Sequence, residues 1–185
     1  MCRWPVIDCS KVRQNFTMRF AVTSDVRVVG IDLGERRIGV AVSDASGTLA
    51  RPLKTIERGA SDAEAVERLQ AVIAELAAED EVGSVVVGLP MRLDGSPNRQ
   101  TQRVGTMVTL LSARLAVPVF TQDERLSSRE AEERLSLREK DWRKRKAKLD
   151  AAAAAVILQD YLDARSLREQ RAEGREQKDH GGDTE

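Results

Sequence analysis

Aromatic side chains are nearly missing from this chain: two Trp, one Tyr and three Phe in 185 residues. A core here must be built from aliphatic side chains and alanine. Cysteine is almost as scarce. Cys2 and Cys9 both lie in the first ten residues and form no Cys-x-x-Cys motif, which excludes a disulfide framework or a zinc-ribbon site. A reducing, cytoplasmic setting is expected. The one histidine, His180, lies in the tail and is assigned no role. Net charge is missing too, with 30 Lys+Arg against 30 Asp+Glu, so only the local distribution of charge speaks to nucleic acid. No apolar run is long enough to cross a membrane, and no membrane partner is expected. Residues 1–17 lack the apolar centre of a signal peptide, being interrupted by Asp8, Lys11 and Arg13.

What is present is charge of both signs, 32% of all residues, on a length that suits one domain plus extensions. Residues 1–25 carry no periodicity and are expected to form a disordered extension. Met18 is expected to be the natural start, with 1–17 upstream of it. The organised part spans 26–164, and a polar tail, frayed helix then disorder, is expected over 165–185. Within 26–164 the pattern predicts strands at Val26–Leu33, Ile38–Val42, Thr48–Ile56, Ser84–Leu89 and Val119–Gln122. Pro52 assigns the third of these to a sheet edge. The continuous apolar run Ser84–Leu89 reads as a strand buried on both faces. Helices are predicted from the capping box at Ser61–Glu64 to about Asp80, through Val104, Val108, Leu111 and Leu115, from a second capping box at Ser127–Glu130, and from Asp150 onward. Three strands that can pair as hairpins, followed by alternating helix and strand, imply an α/β fold: a mixed sheet with helices covering its faces.

The stretch Val28–Asp44, VVGIDLGERRIGVAVSD, organises the rest. Gly34–Arg37 reads as a hairpin turn between two apolar strands. Asp32 is the anomaly, because an unpaired carboxylate buried in an apolar strand costs several kcal/mol. Alternation puts it on one face with Val28 and Gly30, and Gly30 would leave room there for an ion or a phosphate. Gly39, Ala41 and Ser43 make one face of the second strand small, so something is expected to approach closely. Alternatively, Asp32 is a structural carboxylate that accepts turn hydrogen bonds.

Loops after the carboxyl ends of parallel strands gather at one sheet edge. Asp32 ends the first strand, Glu124 follows the last, and Asp150 is read as opening the final helix. Asp150, Ala154, Ile157 and Tyr161 share a helical face, and the small side chains of Ala151–Ala155 let that helix lie close to the sheet. Three oxygen ligands without His or Cys favour Mg²⁺ or Mn²⁺, and a cation would explain how the carboxylates coexist. Such sites most often act on phosphates. Each acid has a simpler explanation: Asp150 as an N-cap, Glu124 as a surface partner of Arg125 or Arg129, Asp44 as a turn cap. Asp123 competes with Glu124, and spacing does not choose between them. Residues 138–148 hold seven basic and two acidic side chains. Arg143, Lys144, Arg145 and Lys146 would draw a polyanion toward the acids, with Trp142 stacking on a base; a solvated helix or loop is the plainer alternative.

Assembled, these residues resemble the YqgF family, also described as RuvX or Holliday-junction-resolvase-like proteins. The resemblance lies in Gly30–Gly34 with Arg37–Asp44, Val87–Pro90 with Asp94-Gly95, Asp123–Ser128, and Leu149–Ala153 with Ile157-Leu158 and Tyr161-Leu162. It covers about residues 26–164. It implies a ribonuclease-H-like mixed five-stranded sheet with helices on both faces, and a metal-dependent nuclease trimming the 5′ end of precursor 16S ribosomal RNA. Asp32, Glu124 and Asp150 become the catalytic, metal-binding acids for Mg²⁺ or Mn²⁺. By analogy Asp32 bridges the metals, Glu124 orients the attacking water and Asp150 completes a coordination sphere. Arg125 steadies the phosphate or locks Glu124. The basic segment before Asp150 and the N-terminal extension depart from the family pattern.

Implied partners are nucleic acid, precursor ribosomal RNA first and structured DNA second, and ribosomal particles, with the chain a monomer or homodimer. Three rival readings stand beside this one. One is a phosphate-binding fold of the actin and sugar-kinase class, for which the chain is short. The others are a resolvase of four-way DNA junctions and a catalytically silent module of ribosome assembly.

Overall fold

A computed structural model describes residues 26–92, 94–123 and 142–179, with the side chains of the last helix described over 149–172. The N-terminal extension, the helix expected from Ser127, and both Glu124 and Arg125 lie outside the described residues. The elements run β1 (Val26–Leu33), β2 (Arg37–Ser43), β3 (Ala50–Glu57), α1 (Asp62–Glu79), β4 (Glu81–Leu89), α2 (Arg99–Arg114), β5 (Val119–Asp123) and α3 (Trp142–Asp179).

The five strands form one sheet in the order β3-β2-β1-β4-β5. β1 pairs antiparallel with β2 and parallel with β4; β3 is antiparallel to β2, and β5 parallel to β4. The topology follows from connection length. Tight turns join β1, β2 and β3 as hairpins, whereas the helical crossovers before β4 and β5 return the chain parallel. This is a mixed five-stranded sheet with helices on both faces, as the resemblance implies.

Alternation along the strands separates two cores. On one face, Val29, Ile31, Leu33, Val85 and Val87 pack with α1 and α2 through Val66, Leu69, Ile73, Val104, Met107 and Leu111. On the other, Val28, Ala41 and Val86 pack with α3 through Ala154, Ile157, Leu158 and Leu162. Val85, Val86 and Val87 are completely buried, so β4 is covered on both faces as its unbroken apolar run predicts. Tyr161 of α3 stacks on Phe120 of β5, ring centres 5.8 Å apart.

Local chemistry sets the element ends. The Ser61 hydroxyl accepts the Glu64 N–H at 3.2 Å, while the Glu64 carboxylate accepts the Ala60 N–H, one residue before the reciprocal partner of an ideal capping box. Asn98 caps α2 by accepting the Gln100 and Thr101 N–H groups. β3 begins at Ala50 rather than Thr48 because the preceding turn consumes that backbone: Asp44 accepts the Thr48 and Leu49 N–H groups, and Gly47 takes φ +65°. Pro52 does lie on an edge strand, beside a register shift against β2.

One expectation about the last helix is corrected. Asp150 does not open it: α3 begins at Trp142 and carries Asp150 in its interior. The segment 142–150 has no Gly or Pro, and Lys, Arg, Ala and Leu are good helix formers. The helix runs on past Arg165. It continues to Asp179, with an Arg165–Glu169 pair one turn apart and Arg165 donating to the Gly47 carbonyl.

Candidate active site at the carboxyl end of β1

Asp32 sits opposite Gly39 in the β1–β2 ladder. Gly39 is the contact point for α3: a Cβ placed there would stand 1.9 Å from the Asp150 carbonyl oxygen and 2.4 Å from its carbonyl carbon. Only a hydrogen fits, so the helix backbone rests directly on β2 and Asp150 arrives beside Asp32. Gly30 serves the same approach, since its Cβ would meet Leu158 Cβ at 2.7 Å and the Ala154 carbonyl at 2.9 Å. The room beside Gly30 is therefore filled by the helix and is not a vacancy for an ion, which corrects that expectation. The small face of Gly39, Ala41 and Ser43 is where the close approach occurs. Hydrogen bonds from Ala50 N–H to Gln159, and from Gln159 to the Thr48 carbonyl, tie the helix to β3.

Electrostatics mark the pair. Burial, and then the nearby negative charge of Asp150, raise the Asp32 carboxyl from 3.8 to about 6. Arg37 at the start of β2 answers Asp150, with Nε 3.0 Å from Oδ2 and both side chains about a quarter exposed. The turn between Asp32 and Arg37 is braced from the connection between β3 and α1. Arg58 donates to the Gly34 carbonyl at 3.2 Å and to Asp62 at 2.6 Å, and its own N–H donates to the Arg36 carbonyl. Arg37 carried no site role in the sequence, where it reads as a turn residue. Its only signal there is its position two residues before Gly39, on the same strand face.

The remaining acids sort by environment. Asp44 is a turn residue: hydrogen bonds from Leu49, Ser46 and Thr48 lower its carboxyl below the ordinary value. Asp123 is registered with Leu89, whose neighbours Val87 and Val85 face α1 and α2. It therefore lies on the sheet face opposite Asp32 and Asp150. Glu124 and Arg125 lie outside the described residues, as do the side chains of Trp142, Arg143, Lys144, Arg145 and Lys146, which belong to the first turns of α3. Among the described residues no group of three His, Cys, Asp or Glu side chains converges on one point; the pair is Asp32 with Asp150. Two part-buried carboxylates, with no nitrogen or sulfur donor beside them among the described residues, form an all-oxygen set that suits a hard divalent cation. A crevice lined by Leu33, Glu35, Arg58, Gln100 and Arg103 lies on the other face of β1 and holds neither carboxylate. No described helix is long and apolar enough to cross a membrane.

Comparison with known proteins bears on the same region. The sequence model of the family described as "RuvX: Holliday junction resolvase" matches residues 26–164. A protein of Chloroflexus aurantiacus is 44% identical over 142 residues, 77% of this chain and 90% of its own length. One from Thermoanaerobacter pseudethanolicus is 40% identical over 141 residues, 75% of this chain and 97% of its own. Both carry the name "Putative pre-16S rRNA nuclease". Among solved structures, Thermus thermophilus RuvC in complex with a Holliday junction substrate aligns with a TM-score of 0.46 and 22% identity, over 76% of this chain and 96% of that one.

Proposed function

The chain belongs to the RuvX family, and from that premise we propose that it is a metal-dependent nuclease hydrolysing phosphodiester bonds in the 5′-end maturation of precursor 16S ribosomal RNA. The observation that carries this reading is the seating of Asp150 on Gly39 beside the part-buried Asp32 carboxylate. Two acids held together in a part-buried setting cost a fold stability, whereas a cation-binding site needs them.

Asp32, Glu124 and Asp150 are the residues that would hold Mg²⁺ or Mn²⁺. Bound in pairs, such ions activate water and stabilise the leaving oxygen of an in-line displacement. The chain's own contribution is to position. β1 fixes Asp32 through its ladder with β2, and Gly39 sets the depth of Asp150. Asp123 lies on the α1–α2 face of β5, which supports Glu124 over Asp123 as the second acid. Glu124 then serves to orient the attacking water, and Arg125 to contact the phosphate or restrain Glu124. The basic side chains from Arg143 to Lys146, with Trp142, would hold the polyanion on the helix that carries Asp150. The substrate is nucleic acid, met free or on ribosomal particles in the cytoplasm.

The description of the family's own sequence model supports a second reading, cleavage of four-way DNA junctions. One experiment separates the two. Precursor 16S RNA with its 5′ extension and a four-way DNA junction are each incubated with the protein in Mg²⁺, Mn²⁺ or chelator, beside Asp32→Asn. RNA cutting that needs the cation and is lost in the variant supports the maturation reading. Junction cutting alone replaces it with the resolvase. Binding of RNA without cleavage of either substrate leaves a silent assembly module.

A further inference from the structure

Two part-buried carboxylates held side by side repel unless one keeps its proton or positive charge lies near them. For Asp150 the structure supplies it from within: the Arg37 guanidinium, 3.0 Å away. Arg37 is delivered there by backbone. It opens β2, pairs with Glu57 of β3, and follows a turn that Arg58 braces at both Gly34 and Arg36. Two residues on, Gly39 carries the Asp150 carbonyl. The guanidinium and the carboxylate are thus fixed on opposing elements, β2 and α3, by the same contact. With 26% and 27% of the two side chains exposed, the pair is screened far less than a surface ion pair.

An oxygen that faces a guanidinium cannot at the same time lie in the inner coordination sphere of a divalent cation without cation–cation repulsion at close range. We propose that Arg37 is the resident counter-cation of this site: it holds the Asp150 carboxylate in the metal-free protein and competes with the divalent cation for it. The inference rests on the reading of Asp32 and Asp150 as metal ligands, and it adds a residue that sets how tightly the site takes its ion. A purely orienting arginine has the opposite consequence, because its removal would loosen the carboxylate and weaken cation binding.

Calorimetric titration of the full chain with Mn²⁺, without nucleic acid, tests the difference in the parent, Arg37→Gln, Arg37→Lys and Asp32→Asn. Arg37→Gln is expected to bind Mn²⁺ about tenfold more tightly, equivalent to about 1.4 kcal/mol, while its metal-free melting temperature falls. Arg37→Lys keeps the charge and is expected to stay within about twofold of the parent, a small change on the same scale. Equal or weaker binding by Arg37→Gln, with Asp32→Asn still impaired, overturns the role of Arg37 and leaves the metal site standing. If the parent takes up no Mn²⁺, or Asp32→Asn binds like the parent, the metal-site reading falls and Arg37 falls with it. Should Arg37→Gln fail to fold without metal, Mn²⁺ binding to the native state must rescue it; no rescue overturns the proposal.

Discussion

The carbonyl oxygen of Asp150 occupies the space where any side chain on Gly39 would begin, 1.9 Å from the position of a Cβ. The obstacle is helix backbone, not the end of a flexible side chain, so it cannot step aside locally. Gly39→Ala must lift α3 from β2 or bend the strand. A loss of about 3 kcal/mol or more is expected, at the upper end of overpacking costs, together with loss of nuclease activity because Asp150 moves from Asp32. Thermal unfolding and a cleavage assay check it. A variant as stable and active as the parent would show that the helix is not seated there.

Asp32 is expected to trade stability for function. Its folded carboxyl titrates near 6 against an ordinary 3.8, through burial first and Asp150 second. The folded state therefore holds this proton more tightly than the unfolded chain does. The resulting stabilisation is complete below the unfolded value and disappears as pH rises through about 6. Above that, the folded protein carries a disfavoured charge. Asp32→Asn removes the charge, so in chelator at about pH 8 the variant should be more stable by on the order of 2 kcal/mol, with the advantage gone near pH 4. Cleavage should be lost throughout. Melting curves across this range decide it, and a variant no more stable than the parent at the high end contradicts it.

The second acid can be assigned by a pair of variants. Asp123 lies on the sheet face of α1 and α2, so Asp123→Asn should leave cleavage within about threefold of the parent, less than 1 kcal/mol in barrier. Glu124→Gln should lower it by about a hundredfold or more, as loss of a group acting only in the transition state does. The reverse ranking would place Asp123 in the site.

Ser43 offers a change of stability without a change of chemistry. It is completely buried, accepts the Val28 N–H at 2.9 Å, and donates to the Asp44 carbonyl at 2.8 Å. Ser43→Ala leaves the Val28 N–H without that acceptor where β1 shifts register against β4. The expected cost is about 1–3 kcal/mol, the penalty for an unsatisfied buried group. Activity per folded molecule should stay unchanged, because the site lies at the other end of β1. Denaturant titration beside specific activity measures both.

Neutralising Arg143, Lys144, Arg145 and Lys146 together should weaken RNA binding and flatten its dependence on salt, by up to about one unit of slope for each phosphate that is no longer neutralised. Binding measured across a salt series reads this directly. An unchanged slope would mean that this part of α3 faces solvent alone.

The strands were legible because alternation and turn chemistry are local. Val26–Leu33 stands as read, and Val85–Val87 are buried on both sides as an unbroken apolar run requires. The face of Ala154, Ile157 and Tyr161 likewise follows from 3.6-residue spacing. What failed depended on distant contacts or on weak local cues. Asp is a good helix cap and follows a dense run of charge, so Asp150 reads as a beginning; yet nothing in 142–150 breaks a helix, and α3 passes through it. Gly30 reads as space, because the side chain that fills it, Leu158, lies far along the chain. Arg37 was silent for the same reason: its carboxylate partner arrives on the last helix, and no periodicity connects them.

Asp32 and Asp150 are 118 residues apart in the chain, and the element that brings the second to the first is the last one described. That last helix is what covers the sheet face of Gly30, Gly39, Ala41 and Val86. During synthesis the carboxylates therefore meet only after the final helix has left the ribosome and docked. A chain stalled or truncated before residue 150 has every described strand but lacks Asp150. Such a fragment would expose an apolar sheet face to its neighbours, so its fate would be aggregation or proteolysis, not untimely cutting of RNA.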